Sequence, residues 1–207
     1  MSLFWIETDL DYSRMGKEAE RLRGEETVFL QVLRKQGALR RIWRRINDRG
    51  HYMLWALEDS LQVDRTLEAM PTYHYAQRFD VVALNPHRLF GQFAQPRASS
   101  GRARGQLYHV RLEIDRARLG PERPAELVEH AERNARRHID DGHVVGIWRR
   151  PHGSGAYMMW DCPDNATLFQ ELATLPLKGY FSEVSAVPVV PDPQFEDLAG
   201  WTRGAIE

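Results

Sequence analysis

The side chains best suited to chemistry occur in pairs. Trp43-Arg44-Arg45 recurs as Trp148-Arg149-Arg150, and Tyr52-Met53 recurs as Tyr157-Met158, ahead of Trp55 and Trp160. An arginine presents a planar two-pronged donor that matches a carboxylate. On a strand, Trp43 and Arg45 share one face and Arg44 takes the other. Either Arg44 and Arg149 anchor an anionic substrate beside the aromatic wall of Trp43 and Trp148, or the triplets are core tryptophans flanked by solvated arginines. Tyr52 and Tyr157 could donate phenolic hydrogen bonds to an enolate, or could simply pack. His109, in an alternating Tyr108-His109-Val110 run, has an ordinary pKa suited to proton transfer near neutrality, although a strand histidine is as readily structural. Met53, Met158, Met159 and Trp160 would give such a site apolar walls, since thioethers adapt to bulky apolar substrates.

Other chemistries find less support. His130 and His138 stand eight apart and His143 lies beyond Gly142, which is not the i, i+4 spacing of a helical metal pair, so no metal site is expected. Gly101-Arg102-Ala103-Arg104-Gly105 reads as linker rather than as a phosphate loop. The single Cys162 cannot form an intrachain disulfide. With 28 basic residues against 29 acidic ones, nothing points to a nucleic-acid or anionic-membrane binder. No apolar run approaches the ~20 residues that cross a bilayer, and Met1-Ser2-Leu3-Phe4-Trp5-Ile6-Glu7 lacks the basic start of a signal peptide. The expectation is a soluble, cytoplasmic protein.

The pairing extends well beyond the triplets. Gly37, Gly50, Asp59, Leu67, Pro71, Tyr75 and Val82 recur 105 residues later as Gly142, Gly155, Asp164, Leu172, Pro176, Tyr180 and Val187. A two-copy repeat of this length is a duplicated domain of ordinary size. In copy 1, Leu3 to Leu10 reads as a strand and Arg14 to Lys35 as a helix with Leu22, Val28, Phe29, Val32 and Leu33 in its periodicity. Gly37 stops that helix. Ala38 to Ile46 and His51 to Leu57 form a hairpin around Asn47-Asp48-Arg49-Gly50. Ser60 caps a short helix that Pro71 ends, and Tyr75 to Leu84 is the last strand. Copy 2 repeats this with strands at 106–115, 144–149, 156–161 and 180–189, and helices from Glu122 to Asp141 and from an Asp164 cap to Leu175.

The order β-α-β-β-α-β is ferredoxin-like. The fold class is therefore α+β: two tandem ferredoxin-like domains, residues 1–86 and 106–191, with antiparallel sheets. A linker at 87–105 and an irregular tail at 192–207, whose Phe195, Leu198 and Trp201 could pack over a domain or against a neighbouring chain, complete the chain. Such sheets leave one face needing cover, so the two copies are expected to pair as an intrachain α+β barrel and to assemble further as a homo-oligomer.

Leu107-Tyr108-His109-Val110, the Ile147-Trp148-Arg149 strand, Tyr157, and Leu172 to Leu177 followed by Tyr180 together resemble muconolactone isomerase. Copy 1 is similar through Leu39 to Arg44, Met70-Pro71 and Tyr75. The resemblance implies an enzyme without a cofactor that moves a proton across a small unsaturated lactone bearing a carboxylate. That chemistry needs a base, donors for the enolate charge and a cation for the carboxylate. The family's helix-1 glutamate falls at Glu26 in copy 1 but at Ala131 in copy 2, and its first-strand histidine falls at His109 in copy 2 but at Trp5 in copy 1.

The resemblance thus implies His109 and Glu26 as alternative bases, Tyr157 and Tyr52 as enolate donors, and Arg149 or Arg44 for a small anionic substrate. One surviving site is favoured over two equivalent ones, with a composite site also open. Met53-Leu54 and Met158-Met159 replace a polar pair of the family, which implies a bulkier, more apolar substrate. A cyclase or cofactor-free oxygenase of the same superfamily, and a non-catalytic binding module, are the alternatives. A cavity lined by His109, Tyr157 and an arginine would support an enzyme, and a filled core the binding module.

Overall fold

The computed structural model describes residues 1–46, 50–87, 105–120 and 125–195. It divides into two compact units, residues 1–84 with 190 onward, and residues 85–189.

The first unit runs β1 (Ser2–Leu10), α1 (Tyr12–Met15), α2 (Ala19–Lys35), β2 (Leu39–Arg45), β3 (Gly50–Leu57), α3 (Ser60–Glu68) and β4 (Ala76–Pro86). Its sheet has the order β4-β1-β3-β2, antiparallel throughout. The single helix expected from Arg14 is broken, because Gly16 adopts φ +54°, a left-handed conformation that no right-handed helix can continue. Along α2 the buried residues are Leu22, Glu26, Leu30 and Leu33. They form one stripe at steps of three and four, whereas Val28 and Val32, counted in the sequence pattern, are exposed. Gly37, at φ +73°, ends the helix as expected, and the following Ala38 N–H reaches back to the Leu33 carbonyl at 2.8 Å. The cap of α3 is Asp59 rather than Ser60, its carboxylate accepting from the Gln62 N–H at 2.8 Å. Trp55, Ile42, Met53, Leu30 and Leu67 build the core between sheet and helices.

The second unit runs β5 (Gln106–Ile114), α4 (Arg116–Leu119), α5 (Ala125–Asp140), β6 (Val144–Arg149), β7 (Gly155–Cys162), α6 (Asn165–Ala173) and β8 (Phe181–Pro191). The order is again antiparallel, β8-β5-β7-β6, and Asn85 and Pro86 pair with Arg149 and Trp148 beside β6. Gly142 repeats the φ of +73°, with the His143 N–H bonded to the His138 carbonyl at 2.9 Å. Asp164 caps α6 as expected, at 2.8 Å from the Thr167 N–H.

Both units are thus α+β and ferredoxin-like in order. The Asn47-Asp48-Arg49 turn, linker residues 88–104, Glu122, and tail residues 196–207 with Leu198 and Trp201 lie outside the described residues. The start of the tail is not irregular: Pro193–Phe195 forms a 3-10 turn in the first unit, and Phe195 is buried there among Leu30, Ile42 and Met53. No described helix is long and apolar enough to cross a membrane.

Candidate active site

Strand alternation sends Leu112 and Ile114 of β5, Ile147 and Arg149 of β6, and Ala156 and Met158 of β7 to the helix-facing side of the second sheet. Between these residues and α5 lies a cavity of about 380 Å³. Its helix wall includes Ala131, Glu132, Asn134, Ala135 and His138, and its lining also takes in His87 and Phe181. Small residues account for the space. The positions 105 residues earlier hold Glu26 and Leu30 where the cavity has Ala131 and Ala135, and Glu26 and Leu30 are both buried.

His138 is the buried polar group of this wall, 1 % exposed, with its ring 4.9 Å from that of Trp160. Burial lowers its pKa from the usual 6.5, the neighbouring Arg137 charge adds to this, and Glu171 opposes it. Arg137 Nη2 lies 3.3 Å from Nε2. A guanidinium can only donate, so Nε2 accepts and the neutral ring carries its proton on Nδ1. That nitrogen faces Glu171 Oε2 at 3.6 Å, and Glu171 Oε1 stands 3.6 Å from His143 Nδ1. The three side chains could hold a metal ion. Sequence spacing hid this group because the Gly142 turn, not helical periodicity, returns His143 to the end of α5, and α6 brings Glu171 from elsewhere in the chain.

The matching region of the first unit is filled by the chain itself. Phe195 is buried in the same core cluster as Leu30, Ile42, Met53 and Met70, and Asp192 donates its N–H to the Ile42 carbonyl at 3.4 Å. The Asp192 carboxylate stands 3.7 Å from Arg44 Nε and 3.5 Å from His51 Nε2. Burial pushes the Asp192 pKa up, but the His51 hydrogen bond, the Gln194 N–H and the charges of His51 and Arg44 prevail and hold it low. Glu26 lies 7 % exposed near this cluster. Burial raises its pKa, against the opposing influences of the His51 charge and the Thr72 hydroxyl.

The remaining candidates lie on the opposite sheet faces, apart from the cavity. In the second unit His109, 2 % exposed, sits 5.4 Å from the Tyr157 ring. Arg150 covers Tyr157 at 5.5 Å and pairs with Glu113 at 2.7 Å. Trp148 and Met159 are buried on this face. In the first unit Trp5 stacks on Trp43 at 5.7 Å and meets Tyr52 at 5.7 Å, while Arg45 covers Tyr52 and pairs with Glu7. The structure therefore brings Arg149 and Met158 together in the cavity, with Trp160 beneath His138. It keeps His109 and Tyr157 together elsewhere.

Two tandem α+β units with a helix-covered sheet define the class, and sequence comparison defines the family. The muconolactone delta-isomerase model matches residues 3–89 and again 106–193, so the chain belongs to the muconolactone delta-isomerase family. A muconolactone delta-isomerase of Acinetobacter baylyi is 29 % identical over 87 residues, 41 % of this chain and 90 % of that protein. Among solved structures, a chlorite dismutase variant from Candidatus Nitrospira defluvii superposes with a TM-score of 0.65 at 10 % identity, covering 96 % of this chain and 94 % of that one. A heme-binding protein from Thermus thermophilus gives 0.57 at 12 % identity, covering 96 % and 95 %. At these identities the structural likeness shows the fold alone.

Proposed function

We propose that this chain is a cofactor-independent isomerase that moves a proton on a small enolisable lactone or related carboxylate, and that the cavity of the second unit is its working site. The observation that carries this reading is the cavity itself, apolar in most of its lining yet bordered by the Arg149 guanidinium and the buried His138 imidazole, with Glu132, Asn134 and His87 also on its wall, in a muconolactone isomerase family chain. Arg149 binds the substrate carboxylate with its two-pronged donor set. His138 Nε2, released from its hydrogen bond to Arg137, takes the proton from the carbon α or vinylogous to the carbonyl, and the bonding pair moves onto the carbonyl oxygen as an enolate. The imidazolium, faced by Glu171, returns the same proton to the second carbon, so the net reaction is a double-bond shift with nothing added or lost. Keeping His138 neutral by burial preserves it as a base at neutral pH. The first unit is the inactive copy in this reading, its equivalent space being occupied by Phe195 and Asp192.

The Met158 wall and the absence of a glutamate at position 131 favour a second reading, a cyclase or cofactor-free oxygenase acting on a larger apolar substrate. An ultraviolet assay with muconolactone separates the two. Turnover that is lost in His138→Gln and Arg149→Ala but kept in His109→Ala supports the proposal. Loss in His109→Ala alone moves the chemistry to the opposite sheet face. Absence of turnover in the wild type overturns the isomerase reading and leaves the larger apolar substrates.

A further inference from the structure

We propose that His138 Nδ1, His143 Nδ1 and a carboxylate oxygen of Glu171 form a binding site for a divalent transition-metal ion of the zinc type. Two imidazoles and one carboxylate make a ligand set that suits such an ion and leaves a fourth position open. All three ligand atoms lie within 4.8 Å of one another, and each imidazole nitrogen stands 3.6 Å from a Glu171 oxygen. Tetrahedral ligands at zinc distances are separated by about 3.4 Å, so small side-chain rotations close the site.

A second observation points to a ligand. Nδ1 of His138 and Nδ1 of His143 are both buried and without a hydrogen-bond partner, although buried imidazole nitrogens are normally satisfied. The His138 side chain is itself 1 % exposed. The duplication supplies an internal control, because the positions 105 residues earlier hold Leu33, Ala38 and Thr66. All three ligand types therefore belong to the copy with the open cavity.

Binding through Nδ1 requires the other tautomer of the neutral His138 ring, so its proton moves from Nδ1 to Nε2 and none is released. Nε2 then becomes the protonated nitrogen and faces the donor Arg137, so Arg137 weakens the site. The inference does not depend on the isomerase reading. Where that reading holds, a metal-bound His138 cannot accept the substrate proton, and the ion acts as an inhibitor of the neighbouring cavity.

The test is titration of the chelator-treated, tag-free full chain with Zn²⁺ by calorimetry, and with Co²⁺ by visible absorption. One equivalent of Zn²⁺ and tetrahedral-type Co²⁺ bands are expected. His143→Ala and Glu171→Gln should each weaken binding by more than about 100-fold, the upper end of what losing an outer-shell partner does. Arg137→Ala should tighten it, and the exposed control His130→Ala should leave it unchanged. Circular dichroism of each variant establishes that the fold persists. Absence of stoichiometric binding, or binding retained in both His143→Ala and Glu171→Gln, overturns the site. Muconolactone turnover is read separately, so failure of the isomerase reading leaves these outcomes intact.

Discussion

Arg44 and Asp192 face each other at 3.7 Å, and their counterparts 105 residues away in sequence are Arg149 and His87. The first copy thus carries a carboxylate of its own beside an arginine whose equivalent in the second copy borders a cavity. Phe195 reinforces the difference by adding an aromatic ring to the first core, while among the described residues the second unit has Ala131 and Ala135 on α5 where the first has Glu26 and Leu30. Among the described residues, one duplicated sequence supports a self-filled and an open version of the same space.

If Phe195 is a structural plug, its removal destabilises the first unit. Phe195→Ala should lower unfolding free energy by about 3–5 kcal/mol, the usual consequence of truncating a buried phenylalanine. Urea denaturation followed by tryptophan fluorescence measures this. A change under about 0.5 kcal/mol would mean that the turn at Pro193–Phe195 rests on the surface without supporting the core.

Filling the open copy should do the reverse. Ala135→Leu restores the residue found at position 30 and adds buried apolar groups to an existing space, each methylene contributing about 0.8 kcal/mol. Thermal stability is expected to rise or hold, while muconolactone turnover falls to background. A variant with lower melting temperature and full turnover would show that substrate does not enter between α5 and the sheet.

The two arginines should respond differently. Arg149→Ala removes charge-assisted hydrogen bonds to the substrate carboxylate and should lower kcat/KM by roughly 10- to 100-fold. Arg44→Ala disturbs the ion pair with Asp192 and should leave kcat/KM within about twofold, since Arg44 does not line the cavity. Equal losses in both variants would argue for two working copies.

Local sequence signals captured the framework because each has a short-range physical cause. The paired glycines Gly37 and Gly142 end their helices through the left-handed conformation they adopt, and Asp164 caps α6 with its own carboxylate. Strand alternation placed Arg149 opposite Trp148 in advance. The cavity was not legible, because it depends on what α5 lacks at Ala131 and Ala135, and absence leaves no periodic signal. The grouping of His138 with His143 and Glu171 depends on a helix-ending turn and on a second helix 33 positions away. The seating of Phe195 in the first unit is a long-range contact that tail composition does not encode.

Glu26 provides a test by pH. Burial raises its pKa above the usual 4.5, so the folded protein holds this proton more tightly than the unfolded chain does. The group therefore favours folding below pH 4.5, and that contribution is lost as pH rises through its raised folded value. At neutral pH a buried carboxylate opposes folding. Glu26→Gln keeps the shape and removes the titration, so the variant should melt above the wild type at pH 7, with the difference narrowing as pH falls towards 4.5. His138 behaves in the opposite sense: its lowered pKa gives a contribution that is complete above pH 6.5 and is lost as pH falls from there towards its folded value. Melting curves of Glu26→Gln and wild type between pH 4 and 8 separate the two groups, because the His138 slope is common to both proteins and cancels in their difference. If Glu26→Gln proves less stable than wild type at pH 7, the carboxylate is ionised and held by His51, and the Glu26 assignment fails.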